Sequence, residues 1–403
     1  MLIVGGGPVG GLTACALAQS GVSVVVVEAA DPVSLARPGT DGRAIAIALS
    51  AKRVFAGAGA WAHMEAEAEP ILEIRVTDGH SPLFLHYDHD AIGEEPFGWI
   101  VEHTTIRRAV HQRLGELPAA RVMAPARLVG LERLGTHVEA KLDTGETIHA
   151  ALVVGADGRP SWVRGSAGIG VRRLDYRQSG IVTTVAHERP HRGIAHERFL
   201  PAGPFAILPM TDDGDGRHRS SIVWTERADL APAIVAQPDG DFLAELRIRF
   251  GDFLGRVELA GPRFFHPLTL QIADRAIDRR LALVGDAAHG MHPVAGVGAA
   301  PQRTAALWPV VASLPRKTPL TELEHAAALR ELKLAAVAMR RKILYLGYTN
   351  RITLHYGALL GMTEIMTILY LHWLRVRPDD PGWPERDRFV LSKGHGAPAW
   401  YVA

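Results

Sequence analysis

The first chemically informative feature is a glycine-rich turn near the N-terminus. The run Gly5-Gly6-Gly7-Pro8-Val9-Gly10 fits the pattern G-x-G-x-x-G. In such a turn one glycine permits the tight bend, one lets the backbone approach a pyrophosphate, and one lets the next helix pack close to the preceding strand. The helix N-terminus would present free N–H groups and a positive dipole end to phosphate oxygens. The turn therefore predicts a dinucleotide site.

A carboxylate follows this turn at the spacing that a ribose requires. Glu28 ends a run of valines and lies eighteen residues after Gly10, where dinucleotide-binding folds place an acid against the ribose hydroxyls. A glycine-rich turn in an unrelated α/β protein is the alternative, but here strand, turn, helix, strand and acid occur in register. The turn alone leaves open whether the dinucleotide carries a nicotinamide or a flavin.

Two later apolar runs also end in glycine and aspartate. Residues 152–154 lead into Gly155-Ala156-Asp157-Gly158, and residues 281–284 lead into Gly285-Asp286. The second motif is followed by His292-Pro293 and by a Gly-x-Gly at 296–298. Either motif alone could be an ordinary aspartate-capped turn. Their order and spacing along one chain are more informative than either motif by itself.

Taken together, the three motifs resemble the class A flavoprotein monooxygenases, the superfamily of para-hydroxybenzoate hydroxylase. The similarity is closer to the branch that hydroxylates ubiquinone precursors, and it covers about residues 1–298. Further segments that carry the resemblance are 41–46, 101–107, 203–210 and 266–268. The resemblance favours a flavin over a simple nicotinamide dehydrogenase.

The resemblance also implies which residues bind FAD. Those expected along the ADP half and the length of the cofactor are Gly5, Gly7, Pro8, Val9, Gly10, Glu28, Arg43, Arg107 and Leu128. Those expected at the later strand ends are Asp157, Gly158, Gly285 and Asp286. Asp157 would serve both FAD and the nicotinamide donor, and Asp286 the ribityl chain. The residues expected to border the isoalloxazine ring are His292, Pro293, Gly296 and Gly298.

The implied reaction requires neither a metal nor a dedicated catalytic side chain. NAD(P)H supplies electrons, O2 supplies the oxygen atom, and FAD carries the difficult chemistry, while the protein orients the reactants and excludes water. The substrate would be a small aromatic ring, such as a ubiquinone precursor with or without a prenyl chain. His289 and His292 are spaced like a metal pair, but Pro293 argues against a shared helix and no acidic or cysteine ligand completes a site.

The elements that must position these motifs predict an α/β fold. We expect a Rossmann-like FAD-binding domain over residues 1–300, with an inserted antiparallel substrate-binding sheet over about 175–270 that roofs the substrate pocket. Continuous apolar strands at 22–27, 151–154 and 281–284 are typical of a parallel sheet covered on both faces. A helix is expected over 104–117, and Thr144-Gly145-Glu146 predicts a hairpin turn.

The character of the chain changes after Gly298. The monooxygenase pattern would continue with a leucine, an asparagine and a helix, whereas this chain has Ala299-Ala300-Pro301-Gln302. Residues 301–323 contain four prolines and predict a linker. Residues from about 324 to 403 predict a mainly helical fragment that resembles the N-terminal part of a transketolase, above all in the run 381–399 with Lys393-Gly394-His395.

Two alternatives to a working hydroxylase remain open at this point. The first is a chimeric or truncated flavoprotein that binds FAD poorly and is inactive. The second is a transketolase-like thiamine diphosphate transferase subunit. The second is disfavoured because that family's Gly-Asp-Gly segment, which binds metal and diphosphate, is not reached within the 403 residues; we therefore expect no thiamine diphosphate activity.

Composition and charge indicate which partners and which cellular location to expect. The 44 basic and 43 acidic residues give a net charge of +1, so no basic surface for nucleic acid is expected. With one cysteine, Cys15, an intrachain disulfide framework is impossible. The N-terminus has no basic segment before its first strand, and the apolar stretch 358–374 is interrupted by polar residues. We expect a cytoplasmic protein without a transmembrane segment, loosely associated with a membrane if its substrate is prenylated.

Overall fold

The computed structural model describes residues 1–290 apart from residues 36, 38–40, 80–83 and 92. Its helices are α1 (Pro8–Gln19), α2 (Pro32–Leu35), α3 (Leu49–Gly57), α4 (His103–Gly115), α5 (Trp162–Ser166), α6 (Ala231–Val235) and α7 (Asp239–Phe250). Its strands are β1 (Leu2–Val4), β2 (Val24–Val27), β3 (Ala44–Ala48), β4 (Glu69–Ile71), β5 (Glu73–Asp78), β6 (Phe84–Asp88), β7 (Gly98–Glu102), β8 (Ala120–Met123), β9 (Leu128–Arg133), β10 (Val138–Leu142), β11 (Thr147–Ala150), β12 (Val153–Gly155), β13 (Val171–His187), β14 (Ile194–Leu200), β15 (Gly203–Met210), β16 (His218–Arg227), β17 (Val257–Leu259), β18 (Phe264–Ala273), β19 (Ile277–Asp278), β20 (Leu281–Leu283) and β21 (His289–Gly290). The predicted linker and helical fragment lie outside the described residues.

A mainly parallel sheet positions the three predicted motifs. Its strand order is β19, β20, β12, β1, β2, β8, and every neighbouring pair is parallel except β19 with β20. Helices α1 and α4 cover one face, where Cys15 is fully buried among apolar side chains. The predicted α/β class is thereby confirmed, and Cys15 serves as a small core residue.

A large, mainly antiparallel sheet is inserted between two neighbouring strands of the parallel sheet. The chain leaves β12, forms β13 to β18, and returns to β20, which pairs with β12. The inserted sheet has the order β21, β18, β13, β16, β15, β14, β5, β6, with β17 beside β13. The strands of this sheet that lie in the region predicted at about 175–270 run from 171 to 273, and among the described pairs β14 with β5 is the parallel one. The addition of β5 and β6, which come from residues 73–88, was not predicted.

Two helices interrupt the region that the sequence analysis assigned to this sheet. Helices α6 and α7 occupy residues 231–235 and 239–250. In α7 the buried side chains Phe242, Leu246 and Phe250 recur every four residues, which is helical spacing. Acidic residues lie in its first turn and basic residues in its last, in keeping with the helix dipole. The segments on either side are rich in residues that favour β-strands, and this composition led to a strand prediction across both helices.

Two smaller three-stranded sheets complete the described part. In the first, β10 pairs with β9 and β11, and the hairpin turn predicted at 144–146 is confirmed between β10 and β11. In the second, β7 pairs with β3 and β4 and packs its apolar residues against the inserted sheet. Among the described helices, none is long and apolar enough to cross a bilayer.

Replacing Trp224 tests the core beneath the inserted sheet. Trp224 is 1% exposed, and its ring centroid lies 5.8 Å from that of Phe242 and 6.4 Å from that of Phe205. We expect Trp224→Ala to lower the free energy of unfolding by about 3–5 kcal/mol, because it leaves a large cavity. Ile248→Ala on α7, where the side chain is 71% exposed, should change it by less than about 0.5 kcal/mol. Chemical denaturation measures both, and equal effects would contradict this description of the core.

Candidate functional site

The three predicted motifs meet at the carboxyl edge of the parallel sheet. Val4 lies beside Gly155, and Gly155 beside Leu283, so three neighbouring strands end at the same level. The turns that follow are in contact. A Cβ atom placed on Gly5 would lie 2.3 Å from the carbonyl oxygen of Ala156, and one placed on Gly285 would lie 3.3 Å from the side chain of Val9. The edge therefore forms one continuous surface.

Each glycine of the first turn has a distinct structural task. Gly5 has a φ of +103°, a conformation that favours glycine. A Cβ on Gly10 would lie 2.0 Å from the carbonyl oxygen of Gly5, so α1 can pack this closely only without a side chain there. Gly7 is different, because a Cβ at that position would meet no atom within 4 Å.

The open space at Gly7 lies at the N-terminus of α1. Gly7 is the N-cap residue and contributes no capping side chain, and Pro8 follows it at the start of the helix. The first N–H groups of a helix have no partner inside the helix. The surface in front of Gly7 thus offers uncapped N–H donors and the positive end of the helix dipole to an anion.

Glu28 closes one side of this surface. Its Oε2 accepts a hydrogen bond from the Gly6 N–H at 2.7 Å, and its Oε1 accepts one from the Ala30 N–H at 2.9 Å. Each carboxylate oxygen keeps a further lone pair for an incoming hydroxyl. The Ala126 N–H donates to the Glu28 carbonyl oxygen at 2.8 Å, which brings the start of β9, with buried Leu128, alongside Glu28.

Two guanidinium groups with unused donors lie near the glycine turn. The Nε atoms of Arg107 and Arg43 are buried and have no hydrogen-bond partner among the described residues. Burial lowers the pKa of Arg107, whose charged neighbours are Asp41, Arg43 and Glu28. A buried N–H without a partner is costly, and a phosphate or another anion would satisfy both groups.

Arg43 is held in place by a carboxylate and a histidine that the sequence analysis did not single out. Its Nη2 donates to Asp41 Oδ2 at 2.8 Å, and His103 Nδ1 lies 2.6 Å from the same oxygen. Burial alone would raise the pKa of Asp41, but hydrogen bonds from His103 and Arg43 hold it well below its usual range. Burial lowers the pKa of His103. At neutral pH we therefore assign an ionised Asp41 and a neutral His103 that donates to it.

His111 is a second residue that sequence reasoning missed. It lies one helical turn after Arg107 on α4, and its ring interacts with the backbone of Gly6. Burial lowers the pKa of His111. Its i, i+4 spacing from Arg107 was the available signal, since residues four apart lie on the same helix face.

Asp157 uses its carboxylate within the protein. Its Oδ1 accepts from Ser161 Oγ at 2.5 Å and its Oδ2 accepts from the Val163 N–H at 3.0 Å. Ser161 in turn caps α5 by accepting from the Arg164 N–H at 3.0 Å. Gly158 forms the bend between them with a φ of +78°. The visible role of Asp157 is to shape this turn, and its contact with a cofactor stays a prediction.

Asp286 is held by an arginine that is itself bonded to the inserted sheet, and its side chain is still partly exposed to solvent. Arg159 Nε lies 3.2 Å from Asp286 Oδ2, and Arg159 Nη1 donates to the Thr269 carbonyl oxygen at 2.9 Å. Arg164 Nη1 donates to the Ala287 carbonyl oxygen at 2.8 Å, which ties the Asp157 turn to the Asp286 turn. The Asp286 side chain remains 48% exposed. His292, Pro293, Gly296 and Gly298 lie outside the described residues.

Comparison with known proteins identifies two families on separate parts of the chain. The family model described as an FAD binding domain matches residues 1–300. The model of the transketolase thiamine diphosphate binding domain matches residues 341–403. Both predicted resemblances are confirmed, although the transketolase match begins later than the predicted position of about 324.

Two curated relatives resemble the first of these parts. The ubiquinone hydroxylase UbiL of Rhodospirillum rubrum is 58% identical over 298 residues, which cover 74% of this chain and 68% of that protein. The 3-demethoxyubiquinol 3-hydroxylase of Escherichia coli is 35% identical over 303 residues, which cover 73% of this chain and 74% of that protein. Among solved structures, p-nitrophenol 4-monooxygenase PnpA of Pseudomonas putida has the same fold, with a TM-score of 0.60 and 20% identity over 74% of each chain.

Replacing Ser161 tests the turn that Asp157 organises. Ser161 is 4% exposed and both donates to Asp157 and caps α5. We expect Ser161→Ala to lower the free energy of unfolding by about 1–2 kcal/mol, as for other lost N-caps. Ser166→Ala is the matched control, because that hydroxyl donates only to the Val163 carbonyl oxygen near the helix end. Urea denaturation would contradict this role if the two variants were equally stable.

Proposed function

Because residues 1–300 belong to the FAD-binding family of flavoprotein monooxygenases, we propose that this FAD-dependent monooxygenase hydroxylates the aromatic ring of a quinone precursor. NAD(P)H is the reductant and O2 supplies the oxygen atom. The observation that carries the proposal is the convergence of three glycine-containing strand ends at one edge of the parallel sheet. Ligands bind at the carboxyl ends of strands in folds of this kind.

The residues at this edge fit an FAD molecule. The pyrophosphate would lie in the open space before Gly7, against the N-terminus of α1. Glu28 would accept hydrogen bonds from the ribose hydroxyls, and Arg107 and Arg43 would donate their unused Nε–H groups to anionic or carbonyl oxygens of the cofactor. Asp286, anchored but half-exposed, would bind the ribityl hydroxyls. Gly5 and Gly10 act indirectly, since they let the strand ends approach.

The protein's own contribution is to bind, orient and exclude water. When bound, the flavin supplies the electron transfer and oxygen activation that no side chain provides. In this proposal the inserted sheet would cover the site from one side and present side chains to the substrate ring. The neutral His103 and ionised Asp41 fix Arg43 without placing a mobile proton next to the cofactor.

The substrate class is inferred from the relatives. Two of them are named for hydroxylation of ubiquinone or demethoxyubiquinol, and we propose an electron-rich phenol of that class. A prenylated substrate would bring the protein to a membrane surface.

We further propose that the chain is a chimera of two families. Its parts would be the monooxygenase domain at 1–300, a junction at 301–323 and a transketolase-like fragment at 324–403. Separate family matches at 1–300 and 341–403 support this organisation. The coding DNA across codons 295–325 tests its origin: a Gly-Leu-Asn continuation in another reading frame is expected for a frameshift. Its absence from all frames would rule that origin out.

The function is tested by coupling NAD(P)H oxidation to product formation. With FAD-loaded protein and a methoxyphenol, we expect oxidation of NAD(P)H to accelerate and a hydroxylated ring to appear, with one oxygen atom from 18O2 in the product. Oxidation that releases only hydrogen peroxide with every phenol offered would contradict the proposed hydroxylation. Mass spectrometry of the product distinguishes the two outcomes.

Replacing Gly7 tests the placement of the pyrophosphate. Its backbone, with φ −66° and ψ −176°, accommodates alanine, and the methyl group would enter open space in front of α1. We expect Gly7→Ala to weaken FAD binding by at least about tenfold, or about 1.4 kcal/mol, with little change in thermal stability of the apoprotein. Gly115→Ala, at the end of α4 and also free of neighbours within 4 Å, should leave FAD affinity unchanged. Equal FAD affinity in both variants would contradict this placement.

A further inference from the structure

We propose that Glu197 is the residue of the inserted sheet that selects the substrate, by hydrogen bonding to the hydroxyl of an uncharged phenol and by disfavouring rings that carry a carboxylate. The inference rests on the proposed function, and it adds a substrate-contacting residue and a charge preference. It is carried by the position of Glu197 in the sheet, by the apolar side chains around it and by the absence of a partner for its carboxyl among residues whose structure is described.

The neighbours of Glu197 along β14 show which way its side chain points. The ring of His196 lies 4.6 Å from that of Phe253, just after α7. Arg198 Nη1 donates to the carbonyl oxygen of Arg249, on α7, at 3.0 Å. Since successive side chains of a strand point to opposite faces, Glu197 lies on the face away from α7.

That face is the one turned toward the nucleotide-binding half. Ala195, two residues before Glu197 and on the same face, is buried in a cluster with Ala44, Ala46 and Ile100 of β3 and β7. Strand β3 continues directly from Arg43, the residue that Asp41 and His103 hold in place. Glu197 therefore lies on the side of the sheet that is available to a substrate bound beside the cofactor.

The surroundings of Glu197 on this face are apolar. Val76 of β5 and Ala206 of β15 lie opposite it, and Val223 and Val182 continue the row on β16 and β13. On the same face, Asp78 lies two positions beyond Val76 on β5 and Tyr87 lies two positions from Leu85 on β6, and both side chains are exposed. The apposed strand β3 contributes alanines. Along this row an aromatic ring would meet apolar side chains, with the Glu197 carboxyl as the polar group of the row.

The Glu197 carboxyl has no partner among the described residues. Burial alone, with no ion pair or hydrogen bond, raises the pKa of Glu197 to about 7. Two other carboxylates of this sheet are ion-paired: Glu226 with Arg249 at 3.6 Å and Glu73 with Arg75 at 2.7 Å. Glu197 is only partly exposed, and an unsatisfied group of this kind is costly unless a ligand completes it.

The chemistry of an uncharged carboxyl suits a phenol. It can donate to and accept from a ring hydroxyl at the same time. A ring that carries a carboxylate would bring a second negative charge into the same apolar site, and two close carboxylates resist being ionised together. Carboxylated rings should therefore bind only while Glu197 keeps its proton, so their affinity should fall as the pH rises through about 7.

The test compares 4-methylphenol with 4-hydroxybenzoate, two rings that differ in a methyl group against a carboxylate. Binding to the FAD-loaded full chain is measured by calorimetry about one pH unit below and above the pKa of Glu197. For the wild type, we expect hydroxybenzoate affinity to fall about tenfold across this interval, and methylphenol affinity to change much less. Glu197→Gln should abolish the fall, and Glu197→Ala should weaken methylphenol binding by about tenfold.

Glu258→Gln is the matched control, because Glu258 lies on β17 with a 58% exposed side chain, 3.5 Å from Arg256. It should bind both rings as the wild type does. The proposal is overturned if Glu197→Gln keeps the pH dependence, or if Glu197→Ala binds methylphenol as tightly as the wild type. Retention of FAD by each variant is checked first by its visible spectrum. A wild type that cannot hold FAD would instead count against the proposed function.

Discussion

The close approach of three strand ends is the constraint on which the rest of the site depends. A side chain at Gly5 or Gly10 would occupy space already taken by the backbone of Ala156 or Gly5, and Gly285 packs directly on Val9. Because these contacts bring backbone against backbone, the turns after β1, β12 and β20 can share one surface. The uncapped N-terminus of α1, the carboxylate of Glu28 and the half-exposed Asp286 all owe their relative positions to that packing.

The polar groups around this surface are of two kinds. Some have all their hydrogen-bonding partners within the protein, and others keep donors or acceptors without a described partner. Asp157, Ser161 and Asp41 use their oxygens within the protein, and they stiffen the turns that surround the site. Within the part of the chain that the structure describes, Arg107 and Arg43 keep an Nε donor and Glu197 a carboxyl without a partner. Burying such groups costs free energy, and a ligand that paired with them would offset part of that cost. Under the proposed function, the ordered turns and these groups would together form the binding site.

Features that are encoded by short local patterns could be predicted from the sequence. The glycine turn, the valine strand β2 and the two Gly-Asp strand ends follow from runs of a few residues, and the structure brings them together as expected. The sequence did not predict contacts that join distant segments. His103 meets Asp41 across sixty-two positions, and Arg159 meets Asp286 across 127. The joining of β5 to β14 and the helices α6 and α7 within a β-rich stretch were likewise missed, because composition averages over neighbouring elements. No sequence pattern pointed to Glu197, because its interest comes from the absence of a hydrogen-bonding partner among the described residues.

The central claim is that the edge formed by the three turns holds FAD. It is tested most directly by the visible absorption spectrum of the purified full chain, recorded before and after incubation with excess FAD and removal of the free cofactor by desalting. We predict a structured flavin band that survives desalting at about one FAD per chain, as expected for a single dinucleotide site. A protein that stays colourless after this treatment would contradict the account, and the convergence of the three motifs would then record ancestry without a working cofactor site.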